Sequence, residues 1–232
     1  MYISLYYTNK FHIYDILYSE ISTYPLVKGK SEKYIQVNAG LDIETTNTQK
    51  LAFMYIWQLG IGSHIIKGRT WKQLIETFDS INQIVESIDK KAKIIIWDAN
   101  FPYEFQFMRK RIKWNKIFAK KNRQILTSQY QHIILHECLS ISGQGGLKNL
   151  AKNYCTTQKA VGDLDYNIMR NSTTKLTAEE NGYVDNDVAI LMDTKNAIGD
   201  QKALKSVYHA MQNVFPENET EYKRLMRWLF RG

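Results

Sequence analysis

The chain has two cysteines in 232 residues, Cys138 and Cys155, without the spacing of a metal-ligand motif. That excludes a disulfide framework, and the pair reads as free thiols of a reducing cytoplasm. No run of about 18 apolar residues occurs, which excludes a helical membrane span. The opening MYISLYYTNKFHIYD lacks the charged start, apolar core and small-residue cleavage site of a signal peptide. Repeats and low-complexity tracts are also missing. The last absence is local: between Phe105 and His136 there is no acidic residue, against eight basic ones, Arg109, Lys110, Arg111, Lys113, Lys116, Lys120, Lys121 and Arg123. Phe107, Trp114, Phe118 and Tyr130 interleave with them. Such a patch is either a solvated face of a lysine-rich chain or a surface that attracts phosphate backbones. The net charge of +8 suits the second.

With 44% hydrophobic and 12% aromatic residues, the chain can bury a core. Residues 1–33 read as an aromatic-rich strand and loop covering that core. Residues 34–46, 51–62 and the SHIIKG stretch read as strands of a meander. Residues 70–90 carry Leu74, Phe78, Ile81, Ile84, Val85 and Ile88 near helical spacing, with Thr70 as N-cap. KIIIW at 93–97 is a short buried strand. A helix over 100–112 starts at Asn100 as N-cap, with Pro102 in its first turn. The basic stretch reads as strands, and GGLKNLAKNYC as a short helix. Residues 177–198 form a helix with Thr177 and Glu180 in capping-box spacing, and a last helical region covers 200–230. This order predicts an α/β fold, a mixed sheet flanked by helices.

The chemistry is concentrated in LDIETT. On a strand, residues two apart share a face. Leu41 and Ile43 therefore face the core, and Asp42 and Glu44 project together on the other side. Two like charges side by side repel, so that face is either wet or holds a cation. Tyr183 and Asp187, four apart on the 177–198 helix, share a face and can meet that pair. The 100–112 helix adds Glu104, although Asp98, six residues earlier, is a second candidate that otherwise helps cap the helix. Four carboxylates suit two divalent metals about 3.5–4 Å apart, Mg²⁺ or Mn²⁺, and the chemistry of such a pair is phosphodiester hydrolysis.

Together these motifs resemble the 3′–5′ exonuclease domain of family B DNA polymerases, in particular the protein-primed enzymes of phages and linear plasmids. LDIETT resembles the first exonuclease motif, NFPYEFQFM the second and YVDNDVAIL the third; GDLDY resembles a loop of the protein-primed group. The resemblance implies a ribonuclease H-like fold of the DEDD exonuclease class, tyrosine subtype. It implies that Asp42, Glu44, Glu104 and Asp187 hold two metal ions and that Tyr183 positions the attacking water. Thr45, Asn100, Tyr103 and Phe107 would contact the 3′ end of single-stranded DNA, and Tyr166 would line the site. Its partners would be that DNA end, a polymerase domain or subunit, and a terminal protein, in the cytoplasm (the host's, for a phage protein). The domain division is an extension at 1–33, an exonuclease domain at 34–198, and a helical segment at 199–232.

Three departures stand out. Glu104 replaces the usual Asp. Val161 stands where the family often has Lys before Gly-Asp, with Lys159 two residues away as a substitute. And the chain stops at LMRWLFRG, where the family continues into its polymerase domain, so a fragment or a separately encoded exonuclease is expected. Two other readings are a catalytically degenerate module that only binds DNA or terminal protein, and a related exonuclease acting on RNA.

Overall fold

A computed structural model describes residues 2–29, 31–47, 52–121, 123–161, 164–165 and 168–198. The elements run β1 (Ile3–Tyr6), α1 (Lys10–Ile21), β2 (Leu26–Lys28), β3 (Lys33–Ile35), β4 (Ala39–Asn47), β5 (Ala52–Ile61) and β6 (His64–Gly68). They continue with α2 (Trp71–Ile88), β7 (Ala92–Asp98), α3 (Phe101–Met108), β8 (Lys116–Lys121), β9 (Gln124–Tyr130) and β10 (Ile133–Glu137). The short α4 (Cys138–Ser142), α5 (Leu147–Tyr154) and α6 (Ala178–Ile198) follow.

Eight strands lie in the order β1-β6-β5-β4-β7-β10-β9-β8, with β2 and β3 joined to the start of β7. Strand β5 is antiparallel to β4 and β6, whereas β4, β7 and β10 are parallel. The result is the expected α/β mixed sheet between helical layers, the ribonuclease H-like architecture. On one face α1 contributes Ile13, Leu17 and Ile21, and α2 contributes Leu74, Phe78, Ile81 and Val85; they pack on Leu41, Ile43, Leu59, Ile94 and Ile96. On the other face α6 sets Val188, Ala189 and Met192 against Ile65, and Ile190 and Leu191 against Trp97 and α5.

Helix α6 comes close to the sheet because two glycines lie under it. Gly40 and Gly60 are paired across β4 and β5. A Cβ on Gly40 would stand 2.6 Å from Leu191 Cβ, and one on Gly60 would overlap Met192 and Val188.

The local signals act as expected at two helix starts. Thr70 and Gln73 form a capping box on α2. Thr177 Oγ1 accepts the Glu180 N–H at 3.1 Å, and Glu180 Oε2 accepts the Thr177 N–H at 2.8 Å. Elsewhere the structure corrects the sequence reading. The N-terminal stretch holds a helix, α1, because Ile13, Leu17 and Ile21 recur every fourth residue and pack on α2. The strand expected over 34–46 is two strands, β3 and β4, broken at 36–38. Helix α3 ends at Met108, short of residue 112. Asn100 precedes that helix but makes no side-chain cap; Glu137 Oε2 accepts the Phe101 N–H instead, at 2.7 Å. The region expected to be helical at 200–230 lies outside the described residues.

Candidate active site

Strand β4 pairs with β7 at Gly40 and then diverges from it. Asp42 and Glu44 sit on the diverging stretch, facing α6, while Leu41 and Ile43 enter the core. Asp187 comes from α6 to meet them. The three offer carboxylate oxygens that all lie within 4.8 Å of one another. Glu44 and Asp187 are buried and Asp42 is partly exposed, so the pair sits on a largely covered face with Asp42 at its open side.

Helix α3 packs on β9 and β10 and brings Glu104 to the acids of β4 and β7. Glu104, only 3% exposed, takes the Ile43 N–H and lies within hydrogen-bonding reach of both Asp42 and Asp98. Asp98, fully buried, accepts the Asn100 N–H through Oδ1 at 2.9 Å. Among the described residues, Asp98 Oδ2 and Glu104 Oε2 have no hydrogen-bond partner.

This crowding shifts the acids upward. Burial, then the charge of Asp187, pushes Asp42 up to about 7. Burial, then Asp42 and Asp187, pushes Glu44 up to about 9. Burial raises Asp98 and Glu104 well above the carboxylate range; the charges of Asp98 and Asp42 push Glu104 further up, and those of Glu137 and Asp42 push Asp98 up against the opposing hydrogen bond from Glu104. Asp187 also rises through burial, opposed by Lys159.

Lys159 Nζ donates to Asp187 Oδ1 and stands 3.9 Å from the centroid of the Tyr183 ring. Burial works against its charge, yet its bonds to Asp187 and Tyr183 hold its pKa above the ordinary lysine value. The structure thus brings together Lys159, Tyr183 and Asp187. A second group lies on the other flank. The Thr45 and Tyr103 hydroxyls are 2.7 Å apart, tying β4 to α3, and Phe107 meets the Tyr103 ring edge-on at 5.1 Å between centroids. Tyr103 remains 39% exposed, leaving a ring face open to a ligand. Asn100 is exposed at the start of α3. Tyr166 lies outside the described residues.

Several residues that hold this arrangement carried no sequence signal. Gln58, opposite Asp42 in register and fully buried, reaches Asp42 Oδ2 with its amide nitrogen at 3.2 Å. Asn186 grips the backbone on both sides of Lys159: its Oδ1 accepts the Ala160 N–H at 2.7 Å, and its Nδ2 donates to the Gln158 carbonyl at 3.0 Å. Lys67, buried on β6, donates to Asp185 at 3.0 Å and to Asn181 at 3.1 Å, fastening α6 to the sheet. Arg170 gives its N–H to Thr46 Oγ1, pairs with Glu180 and donates to the Asp165 carbonyl, bracing the preceding loop on β4. Glu137 accepts from Phe101, Leu139 and Ser140, joining the starts of α3 and α4. Each of these is a tertiary contact between a polar residue of common type and a distant backbone or side chain.

The donor set fits hard divalent cations. It is all oxygen, it is largely buried and self-repelling, and one of its oxygens, Glu104 Oε2, meets no donor among the described residues. The eight basic residues of the patch are exposed, on the segment after α3 and on β8 and its turn.

Comparison with known proteins supports the fold. No protein-family profile matches the sequence, and no curated protein sequence does. Among solved structures, phi29 DNA polymerase complexed with single-stranded DNA superposes on 71% of this chain with a TM-score of 0.54 and 16% identity. The orthorhombic crystal form of phi29 DNA polymerase covers 72% with a TM-score of 0.53 and 16% identity. This chain covers 31% of each polymerase. The catalytic core of RRP6 from Trypanosoma brucei aligns over 89% of this chain and 50% of its own at 8% identity, with a TM-score of 0.48, too low to carry an argument. The likeness is one of fold: the chain has an exonuclease-like architecture.

Proposed function

We propose that the protein is a metal-dependent 3′–5′ exonuclease that removes nucleotides from single-stranded DNA ends and proofreads for a family B, protein-primed polymerase. The observation that carries this reading is the convergence of Asp42, Glu44 and Asp187 in a buried cluster, with Glu104 against Asp42 and Lys159 and Tyr183 against Asp187. In this reading residues 34–198 are the exonuclease unit, 1–33 extend it, and 199–232 lead toward a polymerase domain or subunit, where terminal protein also acts.

Asp42, Glu44, Asp187 and Glu104 would hold two Mg²⁺ or Mn²⁺ ions. The chemistry those ions supply is lowering of the pKa of water and neutralisation of charge on the phosphate and leaving oxygens. The remaining work belongs to the side chains. Tyr183 orients the attacking water at the outer side of the cluster. Lys159 keeps Asp187 ionised and adds positive charge where the phosphate's negative charge grows. Thr45, Tyr103 and Asn100 hold the terminal nucleotide, and Tyr103 and Phe107 offer rings to its base; such stacking is worth about 1–3 kcal/mol per base. The exposed basic patch draws the strand in, with affinity that falls as salt rises.

A 5′-labelled oligonucleotide tests this. Wild-type protein should shorten it from the 3′ end in Mg²⁺ or Mn²⁺, stop in EDTA, and prefer a frayed end to a blunt duplex. Asp42→Asn should fold, bind the strand and leave it intact. Cleavage by that variant at the wild-type rate overturns the assignment. Strand binding by the wild type without any cleavage indicates a degenerate binding module instead, and preference for an RNA strand redirects the assignment to RNA.

A further inference from the structure

We propose that Asp98 is a fifth carboxylate of the cation site, acting with Glu104 to hold the inner of two divalent ions. The inference rests on the two-cation reading above and deepens it.

The sequence offers Asp98 a modest role, as a residue after a strand that helps start the next helix. Oδ1 does that, through the Asn100 N–H. The other oxygen is unexplained. Asp98 is 0% exposed, and its Oδ2 is buried without a donor. The Asp98 carboxyl lies within hydrogen-bonding reach of Glu104, whose Oε2 is buried and likewise without a donor among the described residues. A neutral buried polar atom left unpaired costs about 1–3 kcal/mol, and a charged one more. Two such oxygens, on carboxyls that stand in succession from Asp42 through Glu104 to Asp98, are a costly arrangement for ionised acids unless something positive enters it. Among the described residues the neighbouring cations are engaged elsewhere, Lys159 with Asp187 and Arg170 with Glu180. Glu137, the next acid along, is occupied by three backbone N–H groups.

Chain geometry gives the pair a reason. Glu104 stands where the related motif has Asp, and its longer side chain lies within reach of both Asp42 on β4 and Asp98, the last residue of β7. Mg²⁺ and Mn²⁺ take one or two protein carboxylates and fill the rest of their shell with water and substrate phosphate. Glu104 and Asp98 meet that need, with Asp42 shared toward the outer cluster.

Mn²⁺ titration of the substrate-free protein by calorimetry is the test, because its readout is binding rather than turnover. Wild type should bind two Mn²⁺. Asp98→Asn, which keeps the acceptor for the Asn100 N–H, should weaken one of them by at least about tenfold, since even outer-shell losses cost 10–100-fold, and leave the other unchanged. Glu104→Gln should weaken the same one. If Asp98→Asn binds both ions as wild type does, Asp98 only hydrogen-bonds Glu104 and the proposal fails, with the two-cation reading intact. If wild type binds fewer than two, both fail. Should the variant not fold, a wild-type crystal soaked in Mn²⁺ decides: an anomalous peak about 2.1 Å from Asp98 supports the proposal, and an inner peak held without Asp98 overturns it.

Discussion

Replacing Gly40 with Ala adds one carbon, two residues before Asp42 and outside the acids themselves, and should nonetheless disable the site. The new Cβ would stand 2.6 Å from Leu191 Cβ and 3.4 Å from the Val188 carbonyl. Carbon atoms in contact stand about 3.5–4.0 Å apart, so a gap of about 1 Å must open. Leu191 Cβ is fixed to the helix backbone and cannot swing aside, so α6 itself must lift. Asp187 lies four residues before Leu191, on the same helical face. The lift therefore draws its carboxylate out of the cluster with Asp42 and Glu44. Overpacking of this size costs about 1–3 kcal/mol of stability, and a displacement of about 1 Å at a catalytic group costs about 10²-fold in rate. At Gly60 the added carbon meets only side chains, of Met192 and Val188, so Gly60→Ala should lose stability with a smaller loss of rate. The assay is single-turnover cleavage of a labelled oligonucleotide, with enzyme in excess and melting followed alongside. A Gly40→Ala protein that melts lower but cleaves at the wild-type rate would refute the idea that the glycine pair sets the height of α6 over the acids.

Two further outcomes are expected. Asp42 and Glu44 have folded-state pKa values raised to about 7 and about 9 by burial and mutual charge. Stability from groups so raised is complete below the unfolded carboxylate pKa and is lost as pH rises through those values. In EDTA the melting temperature should therefore fall between pH 5 and pH 9, and millimolar Mg²⁺ should reverse the fall; an EDTA melting curve indifferent to pH would contradict the buried cluster. Asn186→Ala should release the backbone on both sides of Lys159, lowering the single-turnover rate about tenfold or more through misplacement of the ammonium while strand affinity changes little. Lys159→Ala combined with it should cost no more than Lys159→Ala alone, and additive losses would separate the two residues.

The parts of the molecule that could be read from the sequence are those whose physics is local. Alternation along β4 put Leu41 and Ile43 inward and Asp42 and Glu44 outward, and spacing along α6 put Tyr183 and Asp187 on one face. Capping pairs marked the starts of α2 and α6. Helix α1 was missed although its Ile13, Leu17 and Ile21 repeat was present, because the surrounding tyrosines and polar residues hid it and only packing on α2 makes it a helix. Gln58, Lys67, Asn186 and Arg170 were illegible for a different reason. Their partners lie across a strand pair, a helix or a loop, and nothing in their own neighbourhood distinguishes them from surface residues. Asp98 was visible as an alternative to Glu104; that the two carboxyls meet depends on how α3 packs on β9 and β10 beside the end of β7.

The tripeptide Asp185-Asn186-Asp187 sends three consecutive side chains to three places: Lys67 on β6, the backbone around Lys159, and the carboxylates of β4. Successive residues of a helix diverge by about 100°, so these three directions fix the rotational phase of α6, and Leu191 on Gly40 fixes it again one turn later. A single inserted or deleted residue between Thr177 and Leu191 would turn one end of the helix against the other, and no sliding along the axis restores both. Between Thr177 and Leu191 the helix can therefore change its residues but not their count.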